Sequence, residues 1–373
     1  MAKKINWKGI IGWGAAILVV AGIIGTNMYQ MREEKTDKPV VKIGITLPLT
    51  GPLGYLGREL QEAMKMRLEE VPADSNFIYK ANFQDDQLQS SQEFSNVMKF
   101  VNLDKSDVVI SGFAGSGEAI ADLTKQNRIV HFDSTWSNKV SPRSPYSFVY
   151  YTPIADIVGK WLEIAHQKGY RKISIINNDS HLGGEYAIAQ LKEQIVNYPD
   201  MQIIDIERVP MGGSDLRTVI YKMSLKKPDV YVSLLLMPSL DRWMSELRGY
   251  ENTIPVSGIV VLEETEDASL FNGSWFVGLT RPNQKVVEKF EKKYNHKLGS
   301  TYSAFGYGLM NRIIEAYEKH KTKPTADEIA LYLKNIKDVD PVVGPVTVDN
   351  DGQFHLIPTV FNIKDGKIVP VEN

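Results

Sequence analysis

The sequence has 373 residues, of which 43% are hydrophobic and 24% are charged, and its net charge is −2. These values are ordinary for globular proteins and exclude disordered, collagen-like and low-complexity chains. The near-zero charge argues against a nucleic-acid partner, which needs a cationic face. The absence of cysteine excludes disulfides, thiolate metal sites and cysteine nucleophiles. At about 100–200 residues per domain, the length favours two domains.

The N-terminus carries an export pattern. Lys3, Lys4 and Lys8 precede an uncharged run over residues 9–31, and polar residues resume at Arg32. A basic segment before an apolar one is typical of exported chains, and the run is as long as the ~20 residues of a membrane span. Residues 1–35 therefore form either a removed signal peptide or an uncleaved membrane anchor, a single hydrophobic helix, with its linker. Both alternatives place the rest of the chain in the periplasm or at the extracellular face of the membrane.

From residue 40 onward, short β-branched runs alternate with helical patterns. The first series predicts helices over 59–70, 91–103 and 118–126, and strands over 40–47, 77–83, 107–110, 128–132 and 148–151. The pattern then starts again, with helices over 155–168, 186–197, 216–224 and 240–248, and strands over 172–176, 202–209, 229–236, 256–261 and 275–279. This alternation predicts an α/β fold with two parallel sheets built from right-handed βαβ units.

The last hundred residues predict a different organisation. Three helical patterns follow one another over 286–294, 303–319 and 326–336, and β-like segments cover 346–349, 357–363 and 367–371. We predict that residues 40–152 and 281–345 form a first lobe, and that residues 153–280 and 346–373 form a second. A chain that returns to both lobes crosses between them several times, which defines a hinge.

Motifs that would indicate catalysis are absent from the sequence. It contains no phosphate-binding P-loop, no Gly-x-Ser-x-Gly elbow and no His-Glu-x-x-His motif, and its six histidines lack metal-ligand spacing. We therefore predict no enzyme, no cofactor and no metal site. A glycosyltransferase-like enzyme, the competing interpretation, would use an Asp-x-Asp pair. That spacing occurs at Asp338/Asp340 and Asp349/Asp351, which we interpret as solvated turn carboxylates.

One glycine-rich segment suggests a binding function instead. The run Gly-Phe-Ala-Gly-Ser-Gly at 112–117 follows a predicted strand and precedes a predicted helix. Such a turn presents free backbone N–H groups and the positive end of the helix dipole to an anion. A small-molecule carboxylate suits this site, and a plain strand–helix turn is the alternative.

Several short motifs occur in a characteristic order between about residue 40 and residue 370. Val-Lys-Ile-Gly-Ile at 41–45 is followed by Pro-Leu-Thr-Gly-Pro at 48–52 and by Tyr-Leu-Gly at 55–57. The acidic pair 85–86, the loop 112–117, Phe-Asp-Ser-Thr at 132–135 and Asn-Asp-Ser-His-Leu-Gly-Gly at 178–184 follow. This order resembles the branched-chain amino-acid-binding (Leu/Ile/Val-binding-like) family, the type I periplasmic solute-binding proteins of ABC transporters.

The resemblance implies a fold and a function. The fold is that of two Rossmann-like lobes with parallel sheets, joined by a three-crossover hinge and closing on a ligand. The function is to capture a small ligand, an amino acid or a related carboxylate or amide, and to deliver it to an ABC transporter permease. A membrane-tethered ectodomain that senses a ligand and signals through a partner protein is the alternative function.

The resemblance also implies which residues touch the ligand. Gly115 and Ser116 would bind its carboxylate, Ser134 and Thr135 would add hydrogen bonds, and Tyr55 would form an aromatic wall.

Four further residues complete the predicted site. Trp136 would stack on the ligand or pack at the lobe interface, Leu182 and Met237 would form an apolar wall unless Met237 belongs to the core, and Glu263 or its neighbour Glu264 would bind an α-ammonium group. An aliphatic or aromatic carboxylate, or an amide, would fit an apolar second wall equally well.

Overall fold

The computed structural model describes residues 38–51, 53–213, 216–250, 253–298 and 300–371. The predicted signal or anchor at 1–35 lies outside the described residues. Within the described part of the chain, no helix combines the length and the apolarity that a bilayer crossing requires.

A parallel five-stranded sheet forms the centre of the first lobe. Its spatial order is β2-β1-β3-β4-β5, with β1 at Val40–Leu47, β2 at Ile78–Asp85, β3 at Val108–Ser111, β4 at Val130–Asp133 and β5 at Ser147–Val149. Helices α1 (Gly54–Glu69), α2 (Ser90–Lys99) and α3 (Gly117–Asn127) connect the strands, and a π-helical turn, Phe100–Asp104, continues α2. Helices cover both faces of this sheet, so β1 and β3 are buried along almost their whole length.

The second lobe repeats the same strand order. Its parallel core is β7-β6-β8-β9-β10, with β6 at Lys172–Asn178, β7 at Gln202–Val209, β8 at Val230–Leu234, β9 at Val256–Ile259 and β10 at Trp275–Gly278. The helices are α4 (Ile154–Gln167), α5 (Leu182–Gln194), α6 (Arg217–Ser224) and α7 (Ser239–Gly249). Two antiparallel strands, β14 (Thr359–Lys364) and β15 (Lys367–Pro370), extend this sheet beyond β10.

The C-terminal helices return to the first lobe. They are α8 (Gln284–Tyr294), α9 (Thr301–Glu318) and α10 (Ala326–Lys334). Helix α9 lies along α1, where Ser303 Oγ donates to Glu59 Oε2 and Arg67 Nε donates to Asn311 Oδ1, both over 2.7 Å. The chain thus passes between the sheets after β5, again after β10 and a third time before β14, which confirms the predicted α/β fold with its three crossovers.

The strand pairing corrects the predicted boundary at residue 346. A small antiparallel sheet, β11-β12-β13, consists of Lys337–Asp340, Gly344–Val348 and Phe354–Leu356. A bridge between Val149 and Gln353 joins this sheet to β5 of the first lobe. Residues 346–356 therefore lie against the first lobe, and the chain enters the second sheet only at Thr359. A β-like pattern predicts a strand but not its partner, which explains the difference.

The Asp338/Asp340 pair is not a solvated turn as predicted. Both residues lie in β11, and the side chain of Asp340 is fully buried. The buried Arg312 donates from Nε to Asp340 Oδ2 over 2.7 Å and from Nη2 to Asp338 Oδ1 over 2.8 Å. Asp340 is therefore a buried ion-pair partner of Arg312, because a guanidinium buried in α9 needs a carboxylate beside it, whereas Asp338 binds the same guanidinium from the surface with its side chain 46% exposed.

Candidate functional site

A cavity lies where the carboxyl ends of the two parallel sheets face each other. Loops after β3 and β4 of the first sheet and after β6, β8 and β9 of the second contribute to its wall. Its volume is about 800 Å³, counted together with the solvent at its mouth. Ligands of open α/β sheets bind outside the carboxyl ends of the strands, at the point where the strand order reverses. In these sheets that point lies between β1 and β3 and between β6 and β8.

Most of the wall is apolar and aromatic. Tyr302 holds two ring contacts, to Phe113 with centroids 5.0 Å apart and to Tyr151 at 4.9 Å, and Trp136 lies 5.9 Å from Tyr151. The aliphatic part of the wall consists of Leu53, Leu56, Leu88, Leu182, Met211, Leu236, Val260 and Val261. Such a surface suits a ligand whose body is an aromatic ring or a branched aliphatic chain.

Direct hydrogen bonds link the two lobes beside the cavity. Tyr55 Oη, on α1 of the first lobe, donates to Glu264 Oε2 of the second lobe over 2.8 Å. Ser300 Oγ and Thr301 N, at the start of α9, both donate to Glu263 Oε1 over 3.2 Å. The two glutamates therefore connect the loop after β9 to the first lobe.

Two glycines allow the lobes to approach each other closely. A Cβ atom placed on Gly183, in the first turn of α5, would lie 2.8 Å from Cε3 of Trp136 in the first lobe. Gly115 has a φ of +86°, and a Cβ there would lie 2.9 Å from Leu182 Cδ1 in the second lobe. Any side chain at these positions would meet the opposite wall.

The turn after β9 is strained at a residue of the cavity wall. Val260 has φ 65° and ψ −61°, a γ-turn geometry that is rare for a β-branched residue. The backbone N–H of Glu263 reaches the carbonyl oxygen of Val260 over 3.3 Å. This turn brings Val260, Val261 and Glu264 to the cavity wall. Strained backbone of this kind concentrates at functional sites.

The anion-binding turn at 112–116 is already filled by a carboxylate of the protein. Glu93, fully buried in the first turn of α2, accepts hydrogen bonds from Gly112 N over 2.9 Å and from Ser116 N over 3.0 Å. The hydroxyl of Ser116 also donates to Glu93. Burial raises the pKa of Glu93 to about 7, although these hydrogen bonds act in the opposite direction.

The neighbouring loop after β4 is filled in the same way. The carboxylate of Asp133 is buried and accepts from Ser111 Oγ over 3.0 Å, from Thr135 N over 2.9 Å and from the hydroxyl of Thr135. Burial raises the pKa of Asp133 and lowers that of nearby His131 to about 3. The imidazole is therefore neutral and does not compensate a charge on Asp133.

The titratable side chains of the cavity wall are acidic or neutral. Among the lining residues that the structure describes there is no lysine or arginine, and Glu264 and His181 are the titratable members besides tyrosines. Desolvation raises the pKa of Glu264 to about 7 against the hydrogen bond from Tyr55. Burial lowers the pKa of His181 to about 4, so its ring is neutral. No group of three or more His, Asp and Glu side chains within the described ranges is arranged to hold a metal ion.

The structure brings five of the nine predicted site residues to the cavity wall: Gly115, Ser134, Thr135, Trp136 and Leu182. Trp136 lines the cavity and also packs against Gly183 of the opposite lobe, and its stacking on a ligand stays a prediction.

The other four predicted residues do not line the cavity. Ser116 is held by Glu93, and the ring of Tyr55 packs against the cluster formed by Leu53, Leu56, Leu236 and Val261. Met237 is half-buried and packs against the core of the second lobe. Glu263 is turned to the start of α9, so that its neighbour Glu264 is the lining residue. These four residues differ from the prediction for one reason: each side chain forms a hydrogen bond or a packing contact within the protein instead of facing the cavity.

Several lining residues were not predicted from the sequence. Tyr151 follows β5, so the rule that ligand residues follow strand ends could have found it. Tyr302 comes from α9, far along the chain, and no local pattern places it beside Phe113.

Comparison with known proteins identifies the family. The family model of the periplasmic binding proteins matches residues 40–367. The chain belongs to this family, and the relatives described below include Leu/Ile/Val-binding and branched-chain amino acid-binding proteins. Proteins of this family bind ligands outside the cytoplasm.

Individual relatives are distant in sequence and similar in fold. The Leu/Ile/Val-binding protein homolog 7 of Brucella abortus is 20% identical over 312 residues, which are 75% of this chain and 77% of that protein. A solute-binding protein of an ABC transporter from Rhodopseudomonas palustris BisB5, in complex with 3,4-dihydroxybenzoic acid, has a TM-score of 0.77. It is 20% identical, and the alignment covers 90% of this chain and 96% of that one. A branched-chain amino acid transporter substrate-binding protein from Streptococcus pneumoniae, in complex with isoleucine, has a TM-score of 0.72 at 16% identity and covers 89% and 100%.

Proposed function

We propose that this protein is a solute-binding protein that encloses a small organic ligand between its two lobes and delivers it to the permease of an ABC transporter. The observation that carries this proposal is the cavity at the carboxyl ends of both sheets, whose wall comes from both lobes. Family membership and the absence of catalytic motifs from the sequence support the same function.

Lobe closure would follow from a shift in populations. A ligand that touches Trp136 of one lobe and Leu182 of the other makes its full set of contacts only when the lobes are together, so it stabilises that state. The hydrogen bond from Tyr55 to Glu264 also joins the two lobes and so stabilises the closed state further. The closed, loaded form then differs in shape from the empty one, which is what a permease needs in order to recognise it.

The apolar wall selects the body of the ligand. The two neighbour complexes named above contain 3,4-dihydroxybenzoic acid and isoleucine, and an aromatic ring or a branched aliphatic chain suits the wall of this cavity equally. We therefore propose amino acids and related small carboxylates, amides and amines with such bodies as the solutes to test.

The test is a thermal-shift screen of the purified full-length protein against these solutes, with sugars as the contrasting class. A ligand at 100 times its Kd stabilises the folded state by about 2.7 kcal/mol, which gives a clear shift in Tm. Leu182→Ser should weaken binding of the ligand found. Leu103→Ser, the same change at an exposed leucine of the π-helical turn, is the matched control and should leave binding unchanged. A screen in which no small organic solute shifts Tm would refute the proposal.

Delivery to a permease needs a test in cells. Deletion of the gene should abolish uptake of the labelled ligand, and the wild-type gene should restore it. A Leu182→Ser variant that binds weakly should restore uptake only at higher ligand concentration. Normal uptake in the deletion strain would contradict the role in transport.

A further inference from the structure

Two carboxylates of the protein occupy the place where a ligand carboxylate is expected. Glu93 accepts hydrogen bonds from the backbone N–H and the hydroxyl of Ser116. Asp133 accepts hydrogen bonds from the backbone N–H and the hydroxyl of Thr135. The backbone N–H of Ser134 donates to the carbonyl oxygen of Ser111 over 2.8 Å. These donors are therefore satisfied before any ligand enters.

A carboxylate ligand would have to displace one of these groups or lie beside it. Displacement would leave Glu93 or Asp133 buried without its hydrogen bonds, which is costly for a carboxyl group in either protonation state. A ligand carboxylate beside an ionised Glu93 or Asp133 would meet a like charge at low dielectric. No lysine or arginine among the described lining residues offsets that repulsion.

A positively charged group of the ligand would meet favourable groups in the same cavity. Glu264 is the acidic side chain of the wall, and Glu263 and Glu59 lie close enough to influence its charge. Aromatic rings surround the cavity, and the negative face of an aromatic ring attracts a cation placed over it. An ammonium group would thus find a carboxylate partner and ring faces together.

On these grounds we infer that the ligand of this cavity is an organic amine: a protonated amino group on an aromatic or branched aliphatic body, without a carboxylate. The inference rests on the proposed solute-binding function and deepens it, because it specifies the chemical class of the solute. Glu264 is the specificity-determining residue. The internal carboxylates Glu93 and Asp133 exclude free amino acids and carboxylic acids.

The experiment compares ligands that share a body and differ in one group. Isothermal titration calorimetry on the full-length protein would use phenethylamine, 2-phenylethanol and phenylacetate, and then isoamylamine, isoamyl alcohol and isovalerate. Phenylalaninamide and phenylalanine form a third pair, in which only the carboxylate changes. We expect each amine to bind at least 10-fold more tightly than the matching acid, and phenylalaninamide to bind at least 10-fold more tightly than phenylalanine.

Substitutions assign the preference to Glu264. Glu264→Gln keeps the size of the side chain and an oxygen for Tyr55, and it should weaken amine binding at least 10-fold while changing alcohol binding less than 3-fold. Retained alcohol binding shows that the variant is folded and its cavity intact. Glu266→Gln, the same change at an exposed glutamate two residues further on, is the control and should change neither affinity.

The outcomes separate the two proposals. Tighter binding of an acid than of its matching amine would overturn the ligand class and leave the solute-binding function standing. Equal loss of amine and alcohol binding in Glu264→Gln would also overturn it, because charge would then not be the cause. Failure of every ligand in the series and in the wider screen would refute the solute-binding function, and the ligand class with it.

Discussion

The close approach of Trp136 and Gly183 makes lobe closure sensitive to a single methyl group. Gly183→Ala places a Cβ atom 2.8 Å from Cε3 and 2.9 Å from Cζ3 of the Trp136 ring. Ordinary contacts between carbon atoms lie at about 3.5–4.0 Å. The indole ring of Trp136 must therefore shift by about 0.7–1 Å away from the new Cβ atom. The backbone of Gly183 is helical, and alanine favours a helix over glycine by up to about 1 kcal/mol.

The size of the effect follows from where the two residues lie. Overpacking by one methyl group costs about 1–3 kcal/mol, and most of this falls on the closed state because Trp136 and Gly183 belong to different lobes. Part of the overpacking cost destabilises the open and the closed state alike, since the new Cβ also lies 2.9 Å from Nε2 of His181 in the same lobe. Affinity for the ligand should therefore fall about 5- to 100-fold, while the free energy of unfolding without ligand changes by less than about 1 kcal/mol.

Calorimetric titration with the tightest ligand of the screen and urea denaturation without ligand would measure the two quantities. Gly249→Ala is the matched control, because Gly249 is also helical and its Cβ would meet nothing within 4 Å. That variant should bind like the wild type. An affinity of Gly183→Ala within twofold of the wild-type value, at unchanged stability, would refute the reasoning that this contact belongs to the closed, ligand-bound state.

Three further predictions concern stability, each measured by urea denaturation. Glu93→Ala leaves three donors of the 112–116 turn without an acceptor and should destabilise the protein by about 2–4 kcal/mol, whereas an unchanged stability would show that the donors find other partners. Glu263 has a pKa raised to about 7 from 4.5 by desolvation, so the folded state holds its proton over that interval and loses stability as pH rises. Glu263→Gln should therefore gain up to about 3 kcal/mol relative to the wild type between pH 4.5 and pH 8, and a pH-independent difference would contradict this. Arg312→Met leaves Asp340 buried without a counter-charge and should cost about 3–5 kcal/mol, and a loss below 1 kcal/mol would show that Asp340 is otherwise compensated.

Much of the fold was predictable because buried parallel strands leave a strong local signal. The predicted bounds of β1 and β7, 40–47 and 202–209, are those observed. The repeated strand–helix alternation correctly predicted both parallel sheets. Two helices begin four or five residues earlier than predicted: α1 begins at Gly54 rather than at 59, and α5 at Leu182 rather than at 186. Their first turns contain glycine and polar residues, which resemble loops when read locally.

The site was harder to predict because its chemistry depends on contacts between distant segments. The 112–117 turn was correctly located, but the anion that fills it, Glu93, comes from the preceding helix. One signal was available: Glu93, Val97 and Phe100 follow each other at helical spacing, so a glutamate lies on the apolar face of α2. A carboxylate at such a position is buried and needs donors, and the nearest glycine- and serine-rich turn supplies them.

The three passages of the chain between the sheets also determine the order in which the protein can fold. The five parallel strands of the second lobe come from one continuous stretch, Lys172–Gly278, which can assemble as soon as it has been synthesised. The first lobe cannot be completed until α9 arrives, since Arg67 of α1 and its partner Asn311 are 244 residues apart in sequence. Until then the apolar face of α1, with Leu60 and Met64, stays uncovered. Contacts over such separations slow folding, so a nascent chain stopped after β10 would expose this face to aggregation or to a chaperone.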